Sequence, residues 1–143
     1  MPTPIIFDTD IGTCVDDCLA LAVVLGSPEV QLAGVTCVYG DVGLRARMVQ
    51  KLLALHGSAA IPVLRGAREP LLGLHPIYWE GHEGEGLVEP GDDPPAATDD
   101  AVSFIARTVR ANPGAIHLLA LGPLTNVALA LQRDRAWRAT WAA

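Results

Sequence analysis

Pro4-Ile5-Ile6-Phe7-Asp8-Thr9-Asp10-Ile11-Gly12-Thr13-Cys14-Val15-Asp16-Asp17 is the stretch that decides the fold. An apolar run breaks into a turn holding four carboxylates, the profile of a buried strand that ends at a polar site. Carboxylates crowded at one strand end raise one another's pKa unless a cation or hydrogen-bond donors compensate, and calcium and magnesium take oxygen ligands of this kind. In an open parallel α/β sheet, ligands bind outside the carboxyl ends of the strands, which is where Asp8 and Asp10 are expected. The plain alternative is a solvated turn with Asp16 as helix N-cap, which accounts for one carboxylate and not four.

Outward from this turn, apolar runs with β-branched residues alternate with stretches of helical period. Strands are expected at about residues 4–7, 31–38, 61–64 and 116–121. Asp16 or Asp17 opens a helix through Leu19, Leu21, Ala22, Val23 and Leu25, and Gly26-Ser27-Pro28 ends it because Pro cannot continue a helix. Leu44, Met48, Val49, Leu52, Leu53 and Leu55 mark a second helix that stops before His56-Gly57. A third is expected to start at Thr98 as N-cap, with Asp99 and Asp100 in its first turn and Val102, Ile105, Ala106 and Val109 as its buried stripe. Asn112-Pro113-Gly114 stops that helix, and Leu124 begins a last one. Right-handed crossovers then place all four strands parallel, so the fold class is α/β: a mostly parallel open sheet with flanking helices, Rossmann-like. Residues 65–96, rich in Gly and Pro and holding His75, Tyr78, Trp79, Glu80, His82, Glu83 and Glu85, form a connection long enough to be a functional loop or a linker.

A chain of 143 residues, half of them hydrophobic, is long enough to bury a core and reads as one domain. The net charge of -6 and the lack of any Lys/Arg run argue against nucleic acid or an anionic membrane as partner. No apolar run approaches membrane-spanning length and no secretory leader pattern opens the chain, so a cytoplasmic protein with a small ligand is expected. Cys14, Cys18 and Cys37 have neither the even number of a disulfide framework nor a paired zinc pattern, and read as small buried fillers.

Three motifs together resemble the nucleoside hydrolase family, the inosine-uridine preferring nucleoside N-ribohydrolases. They are the turn of residues 8–17, Val38-Tyr39-Gly40-Asp41, and Leu121-Gly122-Pro123-Leu124-Thr125-Asn126; His82-Glu83-Gly84-Glu85-Gly86-Leu87 is a weaker fourth. On this likeness residues 1–132 are the N-terminal part of such a domain, and residues 133–143 are an atypical tail at a truncation. The resemblance implies calcium as cofactor and hydrolysis of the N-glycosidic bond of a small-molecule ribonucleoside, by an enzyme that is a homo-oligomer when intact. It implies Asp10 as calcium ligand and general base, Asp17 as a second ligand, and the main-chain carbonyl of Leu121 as a further one. Asp16 would hold ribose hydroxyls, Asp41 would contact the substrate, His82 the nucleobase, and Asp8 would order the turn. The implied chemistry is consistent: a cation acidifies water, a carboxylate takes the proton, and negative charge stabilises an oxocarbenium-like state.

The chain departs from the family pattern in three ways. Cys14 stands where the closest form of the turn has Asp, and Asp41 where the family usually has Asn, which exchanges a donor-acceptor amide for an acceptor-only carboxylate. The family's C-terminal half, with another calcium-binding Asp and the leaving-group histidine, is not matched. A non-catalytic metal- or nucleoside-binding remnant is therefore the alternative expectation. A rival enzyme class, the haloacid dehalogenase-type phosphatases, would make Asp8 a nucleophile, but it needs a downstream Lys, and only Lys51 is present, within an apolar-striped helix. Elsewhere the ordinary readings hold: His56 and His117 as scaffold, Tyr78 and Trp79 as loop packing, and Thr125 or Asn126 as a helix cap.

Overall fold

The computed structural model describes residues 1–79, 81–92 and 100–134. Strands β1 (Thr3–Thr9), β2 (Val30–Cys37), β3 (Val63–Arg65) and β4 (His117–Ala120) form one sheet in the order β3-β2-β1-β4, with every pairing parallel. Between and after them run α1 (Asp16–Gly26), α2 (Val42–His56), α3 (Ala101–Ala111) and α4 (Thr125–Arg133). The expected α/β architecture is the observed one, with strand ends moved by one or two residues.

Strand β1 is central, so both its faces are covered, and the period of two sends alternate side chains to different cores. Phe7 packs with Leu21, Val49 and Leu53 on the face covered by α1 and α2. Ile6 packs with Ile105, Val109 and Ala130 on the face covered by α3 and α4. Both side chains are fully buried, and burial of each stabilises the fold by about 1.5–3 kcal/mol. Asp8 lies on the Ile6 face and is carried into the interior with it.

The chain steps from β1 out to β3, and then returns across the sheet to place β4 on the other side of β1. That reversal opens a crevice between the carboxyl ends of β1 and β4, the position at which doubly wound sheets bind ligands. Residues 66–92 cover the ground between β3 and the far side without a helix or strand among the described residues.

Several local expectations change. Helix α3 begins at Ala101, and its N-cap is Asp100, whose carboxylate accepts from the Ser103 amide at 2.7 Å and the Ser103 hydroxyl at 3.0 Å. Asp100 is thus a cap and not a first-turn residue; Thr98 and Asp99 lie outside the described residues, as do Glu80 and residues 135–143 of the tail. Neither Thr125 nor Asn126 caps α4, whose N-cap position is Leu124 without a side-chain bond. Leu19, Val23 and Leu55 are exposed, because α1 and α2 bury narrower stripes than their apolar content suggests. Of the three cysteines only Cys37 is buried; Cys14 is exposed and Cys18 half-buried.

Candidate functional site

The turn after β1 is shaped by hydrogen bonds that its own sequence supplies. Thr9 donates its hydroxyl to Asp17 Oδ2 at 2.5 Å and accepts from the Ile11 amide at 3.0 Å, which folds the start of α1 back onto the strand end. Gly12 follows at φ 120°, a conformation other residues rarely adopt, and a Cβ there would lie 2.8 Å from Met48 Cε on α2. The turn therefore rests directly on α2.

On the β4 side, Leu121 donates its amide to the Asp8 carbonyl at 2.9 Å, continuing the ladder one residue past the strand. Gly122 then comes so near the first turn that a Cβ would sit 2.8 Å from Asp10 Oδ1 and 3.0 Å from the Asp10 amide nitrogen. Two motifs more than a hundred positions apart in sequence are thus packed against each other across the crevice.

A cavity of about 310 Å³ lies there, lined by Asp10, Thr13, Cys14, Asp16, Asp17, Tyr39, Tyr78 and Leu121. Asp10, Asp16, Asp17 and Leu121 come together as site residues would. Asp41 and His82 do not line it. Asp41 instead N-caps α2, accepting from the Leu44 amide at 3.0 Å, and His82 is exposed on the segment after β3. Cys14, expected as a buried filler, opens into the cavity.

The electrostatics follow from crowding and burial. The Asp10 carboxyl is held above the usual carboxylate range, first by burial and then by the negative charge of Asp17, with Arg45 opposing. Asp8 is fully buried and pushed up to about 6, chiefly by burial. Its Oδ1 accepts from the Thr36 hydroxyl at 2.5 Å and the Asn126 amide at 2.8 Å, while its Oδ2 has no partner among the described residues. Asn126 also donates to the Cys37 carbonyl at 3.2 Å and accepts from the Ala67 amide at 2.8 Å, joining β1, β2 and the segment after β3. Asp8 is a scaffold acid below the crevice, outside the cavity lining, which leaves a phosphatase-type nucleophile without access to substrate.

For a hard cation the donor set fits in kind. Asp10 and Asp17 are oxygen donors whose mutual repulsion a cation would relieve, and Gly122 brings the Leu121 main chain alongside. In number it is short: among the described residues no group of three or more His, Cys, Asp or Glu is placed to hold a metal.

Residues with no expected role complete the site. Arg45 is fully buried beneath the turn, Glu83 is buried beside Thr13, and Tyr39 lines the cavity at φ 68°, the one non-glycine positive φ among the described residues. The helical period offered a signal for Arg45, which shares a face with Val42, Ala46 and Val49.

Residues 5–141 match the family profile of the inosine-uridine preferring nucleoside hydrolases. An uncharacterised protein of Schizosaccharomyces pombe is 41% identical over 138 residues, covering 90% of this chain and 43% of that protein. Uridine nucleosidase 1 of Arabidopsis thaliana is 36% identical over 136 residues, covering 91% of this chain and 40% of its own length. The solved plant nucleoside hydrolase PpNRh1 superposes with a TM-score of 0.82 at 33% identity, covering 96% of this chain and 45% of that one. The chain thus spans less than half the length of these relatives.

Proposed function

Since the chain belongs to the inosine-uridine preferring nucleoside hydrolase family, we propose that its crevice is the ribose- and calcium-binding part of a nucleoside N-ribohydrolase site. The observation that carries this reading is the meeting of Asp10, Asp16, Asp17 and Leu121 in one cavity at the reversal of strand order.

Asp10, Asp17 and the Leu121 carbonyl would hold the ion, which when bound makes water a better nucleophile and anchors sugar hydroxyls. Asp10 takes one proton of the attacking water as the water oxygen bonds to the ribose C1′ and the bond from C1′ to the base nitrogen breaks; the base leaves with that electron pair and takes up a proton from solvent. Asp16, exposed at the rim, accepts from the ribose hydroxyls, and the negative charge of the cluster favours the oxocarbenium-like state. Asp41 and His82 stand outside the cavity lining.

The free thiols of Cys14, Cys18 and Cys37 favour a reducing, cytoplasmic setting, and no described helix is long and apolar enough to cross a membrane. Among the described residues strand β4 pairs only with β1, and exposed Leu119 and Leu121 lie along or beside it, a surface that self-association of a homo-oligomer would cover.

A second reading, a protein that binds metal or nucleoside without turnover, is favoured by the short ligand set among the described residues. Release of ribose from uridine and from inosine decides between them. Release by the 143-residue chain that is abolished in Asp10→Ala supports hydrolysis; saturable nucleoside binding without release supports the second reading; neither binding nor release rejects both.

A further inference from the structure

Arg45 is the one fully buried cation among the described residues, and its hydrogen bonds go to main chain and hydroxyl instead of carboxylate. Its Nε donates to the Tyr39 carbonyl at 2.7 Å, and its Nη1 to the carbonyls of Asp10 and of Ile11, the latter at 2.5 Å. Its Nη2 reaches the Thr13 hydroxyl at 3.4 Å, and the guanidinium carbon lies 5.0 Å from the centre of the Trp79 ring. Removing a guanidinium from water is costly, and here every contact is spent on the turn carrying Asp10 or on the wall opposite.

That wall is stitched to the same point. Tyr39, in its left-handed conformation, donates its amide to Ala67 at 2.8 Å, and its hydroxyl accepts from the Tyr78 amide at 2.7 Å. The Gly40 amide donates to the Arg68 carbonyl at 2.9 Å, and the Trp79 ring lies over Gly40, where a Cβ would meet it at 3.0 Å. Positive φ at a tyrosine is uphill and persists only where surrounding bonds hold it. The Arg45 fork supplies the bond on its carbonyl.

We propose that Arg45 is a positioning residue: its guanidinium fork fixes the main chain of Asp10 and Ile11 from below and, through Tyr39 and Trp79, fastens the cavity wall of residues 66–79 to the same anchor. Asp10 and the wall bearing Tyr78 thereby keep one mutual geometry. A lysine delivers charge from a single point and cannot span three carbonyls. The mechanical link stands on the hydrogen bonds alone; its effect on cation affinity rests on the reading of Asp10 and Asp17 as cation ligands.

Two measurements on the 143-residue chain test it: amide hydrogen exchange in calcium-free buffer, and calcium titration by calorimetry. In Arg45→Lys, peptides covering residues 8–17 and 66–79 are expected to exchange faster together, while α3 keeps its protection. Calcium affinity is expected to fall by about 10- to 100-fold, as for loss of a group that orients a ligand. Trp79→Leu, a change on the wall that leaves the fork intact, is expected to loosen residues 66–79 and also, more weakly, residues 8–17. Unchanged exchange in both segments of Arg45→Lys overturns the proposal. Faster exchange everywhere, α3 included, with Trp79→Leu leaving residues 8–17 untouched, also overturns it, since Arg45 is then only a core residue. If the unaltered chain binds no calcium, the cation reading fails, and coupled exchange of the two segments still decides the link.

Discussion

The buried carboxyl of Asp8 makes stability depend on pH in a direction opposite to that of most aspartates. Its folded pKa of about 6 stands above the ordinary 3.8, chiefly through burial, so the folded state holds a proton that the unfolded state has released. Protonation of Asp8 therefore stabilises the fold fully below the unfolded pKa, and the contribution is lost as pH rises through the folded one. The difference of roughly two pH units is worth ~3 kcal/mol. Asp8→Asn keeps an acceptor at Oδ1 for Thr36 and Asn126 and places an uncharged amide where Oδ2 already lacks a partner. That orphaned amide has its own cost of about 1–3 kcal/mol, but the cost does not vary with pH. Urea unfolding of both proteins in calcium-free buffer, from about pH 3.5 to about pH 7.5, isolates the effect because other carboxylates largely cancel in the difference. Stability of the variant relative to the parent is expected to rise by ~3 kcal/mol across that range. A flat difference would refute the assignment of a destabilised, buried carboxylate at this position.

Three further outcomes follow from packing and hydrogen bonding. Gly122→Ala would put a Cβ 2.8 Å from both Asp10 Oδ1 and Val38 Cγ1, so the turn must back away from Asp10; calorimetry is expected to show calcium affinity lower by about tenfold or more, and the overpacking to lower the melting temperature as well. Asn126→Ala removes the amide that joins Asp8, Cys37 and the Ala67 amide, and urea unfolding is expected to show a loss of about 2–4 kcal/mol. Asp100→Ala deletes the α3 cap and is expected to cost about 1 kcal/mol, read as a lower melting temperature, with Asp100→Ser recovering most of it.

The sheet was legible because alternation of strand and helix signals leaves few topologies once crossovers are right-handed. The carboxylates of the first turn were legible for a local reason, since Asp10, Asp16 and Asp17 lie within one short stretch of chain. What joins them to Leu121 came only through the family resemblance, because the approach of Gly122 to Asp10 depends on strand order, which no local pattern carries. Asn126 looked like a cap because Asn often is one; its carboxamide instead satisfies buried groups on β1 and β2, a tertiary demand that overrides the local preference. The start of α3 was misplaced because three successive residues, Thr98, Asp99 and Asp100, are all good N-caps, and only the bond to Ser103 distinguishes Asp100. Arg45 stayed hidden behind its charge: arginines on helices usually face water, although its spacing from Val42 and Val49 puts it on the buried face.

The central claim is that Asp10 and Asp17 together form a cation site at the β1–β4 crevice, and calcium titration by calorimetry on the 143-residue chain, beside Asp10→Ala and Asp17→Ala, tests it most directly. The account predicts saturable binding of one ion that each substitution abolishes; binding that survives both substitutions, or no binding by the unaltered chain, would contradict it.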